Sequence, residues 1–260
     1  MTETRPVVAI RGLVKAYGFM PVLRQLDLDV MHGECVALLG PNGSGKSTLL
    51  KLIAGLTKPT AGTIEVGGWQ MPQEAHAVRA QLGMVSHQSL LYGNLTAREN
   101  LRFFARLYNL PRQGRDARIS DLLEQVGLTR RAESLVRTFS RGMQQRLSIA
   151  RALLPQPHVL LFDEPYSGLD QDAAAMLDEI LIQTHRDGQT MLISTHLLER
   201  AQHTASRVII LNRGRIALDT PADAIPPNQL AIQYAAATSD AQQASTNTNT
   251  ESTSQTEQPA

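Results

Sequence analysis

A glycine-rich stretch centred on residue 43 separates an apolar run from a stretch with helical spacing. The run Cys35–Leu39 is short and wholly apolar, which predicts a buried β-strand, and residues 47–54 predict a helix. The sequence between them matches the pattern Gly-x-x-x-x-Gly-Lys-Ser, which in a strand–loop–helix context forms a phosphate-binding loop. The chain is therefore predicted to be an α/β protein with this loop at the end of a parallel strand.

The residues of this phosphate loop have predicted roles toward a nucleotide. Glycines let backbone N–H groups turn inward around phosphate oxygens, and the following helix N-terminus adds a partial positive charge. Lys46 is predicted to neutralise the β and γ phosphates, the Ser47 hydroxyl to hold Mg²⁺, and Thr48 to make a secondary phosphate contact. The residues predicted to bind the nucleotide here are Gly40, Pro41, Asn42, Gly43, Ser44, Gly45, Lys46, Ser47 and Thr48.

Two acidic residues follow a second apolar run. Residues 159–162 predict another buried strand, and Asp163 closes it, where a rigid strand end would hold the carboxylate beside the phosphate loop. Asp163 is predicted to polarise the water shell of Mg²⁺, and Glu164 to be the general base that orients the attacking water. An Asp-Glu pair after a strand is common by itself, so this prediction depends on the phosphate loop.

The rest of the chain divides into a core, an insertion and a tail. Residues 89–157 contain no strand-like run and show helical spacing, as at Leu101 and Phe104, which predicts an inserted helical subdomain. The predicted core comprises 1–88 and 158–230, and 231–260 are so poor in large apolar residues that they are predicted to be a disordered polar tail. Further strands are predicted at 7–10, 63–66, 191–194, 208–211 and 216–218, the last two as a hairpin.

Charge is distributed unevenly along the chain. The whole chain has a net charge of +1, but 89–157 contains twelve arginines, no lysine and five acidic residues, a net of +7. These arginines alternate with apolar residues at helical intervals, without aromatic interleaving or a dense basic run. That pattern favours solvated or docking faces over a nucleic-acid surface. No nucleic-acid partner is expected, although nucleic acid is the chief rival interpretation of this segment.

The single cysteine and the hydropathy pattern bear on location. Cys35 cannot form an internal disulfide and lies in an apolar run, which fits a reducing compartment. The first thirty residues lack a basic start followed by an apolar stretch, and no segment approaches the roughly 18 apolar residues that span a bilayer. Any role at a membrane is therefore predicted to be peripheral.

A further motif begins an amphipathic stretch at residues 147–154. The sequence Phe-Ser-Arg-Gly-Met-Gln-Gln-Arg resembles the signature motif, Leu-Ser-Gly-Gly-Gln, of ATP-binding cassette (ABC) proteins. Ser140 and Gly142 match that motif, whereas Arg141 and Met143 depart from its second glycine and its glutamine. In the family, this segment completes the ATP site of a second cassette in a head-to-tail dimer. Taken alone, Ser140 would be an ordinary helix N-cap.

Four further matches occur in the order typical of that family. Gln88 resembles the loop glutamine that senses Mg²⁺ and links the two subdomains. Residues 167–170, which end at Asp170, resemble the D-loop that crosses the dimer interface. His196 resembles the switch histidine that contacts the γ-phosphate, and Tyr17 resembles the aromatic residue on which adenine stacks. Each match would carry little weight without the others.

The resemblance extends from about residue 7 to 219 and implies both a fold and a function. The implied fold is a P-loop NTPase core with a mostly parallel sheet, an N-terminal antiparallel β part and an inserted helical subdomain. The implied function is hydrolysis of ATP with Mg²⁺ by a homodimer, which drives a separate integral membrane transporter subunit from the cytoplasmic, inner face of the cell membrane. The implied catalytic residues are Lys46, Gln88, Glu164 and His196, and the implied metal-binding residues are Ser47, Gln88 and Asp163.

Two segments narrow the resemblance to exporters. Residues 85–101 and the Ser-Arg-Gly-Met sequence at 140–143 resemble the CcmA family, the ATPase subunits of the haem exporter of cytochrome c maturation. Exporters of drugs and of polysaccharides share much of this pattern, and in such transporters the cargo does not touch the cassette. Haem export is therefore one interpretation. The alternatives are export of drugs or polysaccharide, and a non-transport ABC ATPase that acts on nucleic acid or ribosomes.

Overall fold

The computed structural model describes residues 5–86, 89–226 and 229–246, which form two β-sheets and the helices that cover them. The strands are β1 Val8–Tyr17, β2 Met20–Val30, β3 Cys35–Leu39, β4 Ala61–Val66, β5 Trp69–Met71, β6 Leu82–Val85, β7 Val159–Asp163, β8 Thr190–Ser194, β9 Arg207–Asn212 and β10 Arg215–Pro221. The helices are α1 Lys46–Ile53, α2 Ala75–Ala80, α3 Ala97–Leu107, α4 Arg115–Gln125, α5 Arg141–Leu153, α6 Gln171–Arg186, α7 Leu198–Thr204 and α8 Leu230–Thr246. Short 3-10 turns occur at Thr129–Arg131, Val136–Thr138 and Ala222–Ala224.

The first sheet is antiparallel and has the strand order β2-β1-β4-β5. Strand β1 pairs with β2 on one side and with β4 on the other, both antiparallel. Its buried residues alternate with more exposed ones, as at Val8 and Ile10, because one face of the sheet packs on the core. The sequence analysis predicted β1 and β4 and missed β2 and β5.

The second sheet has the order β10-β9-β3-β8-β7-β6 and is parallel except for its edge strand β10. The central strands β3, β7 and β8 are buried along their whole length. On β7, Val159 and Leu161 join the core formed with α1 and the antiparallel sheet, whereas Leu160 and Phe162 join the core formed with the helices of the insertion. Helices on both faces explain why these strands are continuous apolar runs, and the predicted fold class is confirmed.

The helices between residues 89 and 157 pack on one another around a common core. The N-terminus of α3 carries a capping box, in which Thr96 and Glu99 each satisfy the other's backbone N–H group. Leu101, Ile119 and Leu147, one from each of α3, α4 and α5, are fully buried in this core. Within the three described ranges, no helix has the length and apolar character needed to cross a bilayer.

The prediction that the chain is disordered from residue 231 is wrong for its first part, because helix α8 occupies Leu230–Thr246. Leu230 is buried in a small core that includes Val208 and Ile210 of β9, and Tyr234 and Ala237 pack against the same core. The Asn212 side chain also donates a hydrogen bond to the carbonyl of Ala237 at 2.8 Å. Three residues at helical spacing are enough to dock this helix, although the composition around them is polar. Residues 247–260 lie outside the described ranges.

Replacing Leu230 with alanine is expected to lower the free energy of unfolding by about 2–3 kcal/mol, because the leucine side chain is 2% exposed in the α8 core. The measurement is equilibrium urea unfolding. Ile232→Ala serves as the matched control, since Ile232 lies on the same helix and is 68% exposed. Equal, small effects of the two substitutions would contradict the docking of α8.

Candidate functional site

The phosphate loop connects the C-terminal end of the parallel strand β3 to the N-terminus of helix α1. The loop requires glycine at Gly40, where φ is +147° and a Cβ atom would lie 2.2 Å from the carbonyl oxygen of Leu211. It also requires glycine at Gly45, where φ is +112° and a Cβ would lie 2.6 Å from the Leu23 side chain. The loop is thus held between the two sheets.

A recess of about 350 Å³ opens beside this loop. Six of the nine predicted loop residues line it, together with Glu164 from the end of β7 and Val22 of β2, which the sequence analysis missed. The lining residues are Val22, Asn42, Gly43, Gly45, Lys46, Ser47, Thr48 and Glu164. The structure therefore brings the predicted base to the predicted phosphate site.

Lys46 is only 6% exposed, and no carboxylate among the described residues is hydrogen-bonded to its ammonium group. Its Nζ donates to the carbonyl oxygens of Gly40 at 2.8 Å and of Pro41 at 3.2 Å. Burial lowers the pKa of Lys46, and the nearby charges of Glu164 and Asp163 oppose that shift. The buried Ser44 hydroxyl also lacks a hydrogen-bond partner within the part of the chain that the structure describes. Both groups fit an anionic ligand that accepts hydrogen bonds.

Asp163 lies at the centre of a hydroxyl–carboxylate cluster. Its Oδ1 atom accepts hydrogen bonds from the Ser47 hydroxyl at 2.7 Å and from the Ser194 hydroxyl at 2.9 Å. Asp163 is 5% exposed and Ser194 is fully buried at the end of β8. Hard oxygen ligands of this kind suit Mg²⁺, which is commonly held by few protein groups and completed by water and phosphate oxygens. Ser194 was not predicted as a site residue, because its role depends on strands that are adjacent only in the fold.

Glu164 follows β7 in an unusual backbone conformation, with φ of +51°. Its N–H group donates to both the carbonyl oxygen and the hydroxyl of Ser194, at 3.1 and 3.0 Å. Its Oε2 atom lies 2.9 Å from Nδ1 of His196, which comes after β8. A left-handed glutamate is strained, and such strain at a strand end is typical of functional sites. The contact with Ser194 fixes the strained residue, and Glu164 lines the recess while the more exposed His196 contacts its carboxylate from outside the lining.

The predicted signature segment forms the N-terminus of α5. The Ser140 hydroxyl accepts a hydrogen bond from the N–H group of Met143 at 3.3 Å, so Ser140 is a helix N-cap as well as the predicted signature serine. Gly142 allows close packing of α5 on α6, because a Cβ there would lie 2.7 Å from the Cβ of Ala173. Asp170 caps α6 by accepting from the N–H group of Ala173 at 2.8 Å.

Arg141 connects this segment to residues 167–170 within the same chain. A Cβ atom placed on Gly168 would lie 2.8 Å from both Cζ and Nε and 3.0 Å from Nη1 of Arg141. Nearly equal distances to three guanidinium atoms mean that the guanidinium plane lies flat against Gly168. In the sequence, Arg141 is only a departure from the signature motif. Its contact with Gly168 depends on the fold and could not be predicted from the sequence.

A buried network fixes the segment that follows Glu164. The Tyr166 hydroxyl donates to Oδ1 of Asp178 on α6 at 2.7 Å, and the Arg200 guanidinium on α7 contacts Oδ2 of the same carboxylate. Burial and then the hydrogen bond to Asp178 raise the pKa of Tyr166 far above its usual value. The network ties the chain after Glu164 to the helix that begins just after His196. No motif pointed to it.

Among the described residues, the predicted site residues that do not line the recess include Tyr17, His196, Ser140, Gly142 and Asp170. Tyr17 ends β1 and is 51% exposed, with the Lys15 ammonium 4.7 Å from its ring centroid. It does not line the recess, so adenine stacking on Tyr17 stays a prediction. Gln88 lies outside the described residues.

Known proteins that resemble this chain in sequence or in fold are ATP-binding proteins of ABC transporters. The family model for ABC transporters matches residues 23–167. Nod factor export ATP-binding protein I of Ralstonia nicotianae is 38% identical over 210 residues, which cover 81% of this chain and 65% of the relative. Linearmycin resistance ATP-binding protein LnrL of Bacillus subtilis is 36% identical over 213 residues, which cover 82% of this chain and 68% of the relative. The chain thus spans about two thirds of the length of these relatives.

Solved structures resemble the fold closely. The ATP-binding subunit of an ABC transporter is 32% identical and superposes with a TM-score of 0.76, over 93% of this chain and 99% of that one. A dimeric ATP-binding cassette, MJ0796, bound to ADP and phosphate in a post-hydrolysis state, is 30% identical with a TM-score of 0.74, over 83% of this chain and 98% of that one.

Proposed function

Because this chain belongs to the ABC transporter family of ATP-hydrolysing proteins, we propose that it is the ATPase subunit that powers an exporter through a separate membrane subunit. The observation that carries the proposal is the convergence of Lys46, the Ser47–Asp163 pair and the Glu164–His196 pair beside the phosphate loop. These are the groups that phosphoryl transfer to water requires: a cation for the phosphates, a metal site and an oriented base.

Two buried groups of the free loop, the Lys46 ammonium and the Ser44 hydroxyl, would gain hydrogen-bond acceptors when a nucleotide binds. Phosphate oxygens would replace the carbonyl oxygens of Gly40 and Pro41 as acceptors for Lys46, and would give the buried Ser44 hydroxyl a partner. Ser47 and Asp163 would hold Mg²⁺, which when bound neutralises charge that develops on the phosphate oxygens. Binding therefore brings negative charge into direct contact with Lys46, which in the free protein is stabilised only at a distance by the carboxylates of Glu164 and Asp163.

Hydrolysis depends on the pair at the ends of β7 and β8. Glu164 accepts a hydrogen bond from the attacking water and orients it toward the γ-phosphate, as a general base does. His196 lies 2.9 Å from the Glu164 carboxylate and holds its orientation, while it contacts the γ-phosphate with its other ring edge. Catalysis comes mainly from placing these groups around the developing charge rather than from a covalent step.

A second copy of the chain completes the site in this proposal. Ser140 and Gly142 lie at the N-terminus of α5, whose N–H groups and partial positive charge suit a phosphate of the partner's ATP. ATP would then join two chains head to tail, and hydrolysis would release them. The cassette structure MJ0796, which resembles this chain, is described as a dimer, and that supports the arrangement.

The exporter assignment draws on the relatives, two of which are named for Nod factor export and for linearmycin resistance. We place the chain at the inner face of the cell membrane through its membrane partner. Haem export rests only on the resemblance of residues 85–101 and 140–143 to the CcmA family, since these relatives are named for other cargoes. It stays a narrower candidate within the proposal.

Affinity purification of the full chain from detergent-solubilised membranes tests the proposal. We expect an integral membrane protein to co-purify, and the pair in proteoliposomes to show ATPase activity that its cargo stimulates. Haem, a Nod factor and linearmycin are the cargoes to compare. Recovery with ribosomes or nucleic acid instead, with a salt-sensitive gel shift, would contradict the exporter assignment and favour a non-transport ATPase.

Replacing Gly168 with alanine is expected to lower the ATPase kcat by about tenfold, because the new Cβ displaces the Arg141 guanidinium beside the signature serine. Gly188→Ala is the matched control. Gly188 has a similar φ of +83°, against +72° at Gly168, but nothing lies within 4 Å of its Cβ position. Both substitutions should cost about 1–2 kcal/mol of stability from the left-handed backbone. Equal ATPase rates in the two variants would show that the Arg141 contact has no role in turnover.

A further inference from the structure

We propose that a recess between helices α3 and α4 binds an anion that carries two or more negative charges on phosphoryl oxygens. Its walls are the C-terminal half of α3, the connecting segment and the first turn of α4, and its volume is about 550 Å³. The lining residues are Arg102, Arg106, Asn109, Leu110, Arg112, Arg115 and Asp116. None of them lines the recess at the phosphate loop, so this arginine recess is a separate site.

The charges that line the arginine recess do not balance. Four guanidinium groups face one carboxylate. Asp116 accepts a hydrogen bond from Nε of Arg102 at 2.8 Å, and this pairing lowers the pKa of Asp116. Arg106 and Arg112 are exposed and, among the described residues, neither guanidinium group has an ion-pair or hydrogen-bond partner. A concave surface with three net positive charges focuses a positive potential that attracts multivalent anions.

Arg115 adds a fixed charge at the back of the recess. It is partly buried, and its guanidinium donates to the carbonyl oxygen of Leu110, which holds the side chain in place. Its Nε atom is shielded from solvent and has no hydrogen-bond partner in the described chain. Burying a donor without a hydrogen-bond partner costs free energy of desolvation, and an anion close to the guanidinium group offsets part of that cost electrostatically.

The arrangement of these groups suits phosphoryl oxygens. Arg102 and Arg106 are four residues apart and lie on the same side of α3, while Arg115 begins α4 across the recess. Gly114 caps α4 without a side-chain acceptor, and the first two residues of α4, Arg115 and Asp116, line the recess, so the helix N-terminus lies next to it. Guanidinium forks bind two oxygens of one phosphate at once, and three net charges favour a phosphoryl group with multiple charges over a single carboxylate.

Two sources supply this chemistry: a soluble phosphoanion and the headgroup of an acidic lipid. Titration calorimetry with inorganic pyrophosphate covers the first. Comparing the unaltered chain with Lys46→Met, whose phosphate loop should bind phosphates weakly, separates binding in the arginine recess from binding at the loop. Co-sedimentation with phosphatidylcholine vesicles, with and without phosphatidic acid, whose phosphomonoester headgroup can carry two negative charges, covers the second. The double substitution of Arg106→Gln and Arg112→Gln removes two exposed, unpaired charges and is expected to weaken binding by roughly tenfold or more.

The double substitution of Arg130→Gln and Arg131→Gln is the matched control. Both residues are exposed in the same segment, do not line the recess, and carry the same total charge. We expect this control to bind like the unaltered chain, and Asp116→Asn, which removes the only carboxylate, to bind more tightly, a gain that misfolding cannot produce. Binding to pyrophosphate identifies a soluble ligand, and binding to acidic vesicles alone identifies a lipid. Absence of binding in both experiments, or equal losses in the two double variants, would overturn the proposal.

Discussion

Replacing Glu164 with glutamine is expected to lower the ATPase kcat by about 10²–10⁴-fold and to leave ATP affinity unchanged. Glutamine has the same shape and fits the same backbone, but its amide cannot serve as the base for the attacking water. Lys46, Ser47 and Asp163, which hold the phosphates and the metal in the proposed mechanism, are not altered. The measurements are steady-state ATPase assays and equilibrium binding of a fluorescent ATP analogue.

The control is Glu179→Gln, the same chemical change at an exposed position of α6. It should leave both kcat and affinity unchanged. In the proposed head-to-tail arrangement, the Glu164 variant should also accumulate as an ATP-bound dimer in size-exclusion chromatography. Undiminished hydrolysis would remove Glu164 from the role of base. A hydrolysis-deficient variant that stays monomeric with ATP and Mg²⁺, even beside its membrane partner, would contradict the sandwiched dimer.

The parts of the fold that the sequence predicted are those set by local patterns. Continuous apolar runs predicted β3, β7 and β8, because strands buried on both faces leave no polar alternation. The second half of strand β2, Leu26–Val30, alternates apolar and acidic residues, a readable strand pattern that was missed, whereas two consecutive exposed residues and register shifts with β1 interrupt the alternation before it. Helix α8 was missed for a different reason: its polar composition hides three docking residues that matter only against the core beside β9.

The same distinction applies to the site. The phosphate loop and the Asp163–Glu164 pair are contiguous in sequence, and their chemistry follows from residue types and spacing. Ser194 hydrogen-bonds both acidic residues only because β7 and β8 are adjacent in the sheet. The Tyr166–Asp178–Arg200 network likewise joins groups from three elements. Such contacts follow from strand order and helix packing, which residue spacing does not contain.

The second large effect is expected from substitution of Lys46, because this lysine is buried and, among the described residues, its ammonium group is hydrogen-bonded only to carbonyl oxygens. Burial penalises the charged ammonium in the free protein, and two neutral carbonyl oxygens together with the nearby charges of Glu164 and Asp163 compensate that penalty only in part. Replacing Lys46 with methionine, which is apolar and of similar length, is therefore expected to change the free energy of unfolding by less than about 1 kcal/mol. The same substitution removes charge-assisted hydrogen bonds to phosphate and should weaken ATP binding by about 3 kcal/mol, roughly 100-fold.

Lys51→Met is the matched control, because Lys51 is an exposed lysine on the same helix as Lys46. It shows the effect of losing a positive charge on α1 away from the phosphate loop. Calorimetric titration with ATP, together with thermal unfolding with and without ATP, distinguishes the two variants. The Lys46 variant should melt like the unaltered chain without nucleotide and should lose most of the stabilisation that ATP confers, whereas the Lys51 variant should retain it. A large loss of stability without nucleotide would instead mean that Lys46 is a structural clamp on Gly40 and Pro41, and that its contribution to binding is indirect.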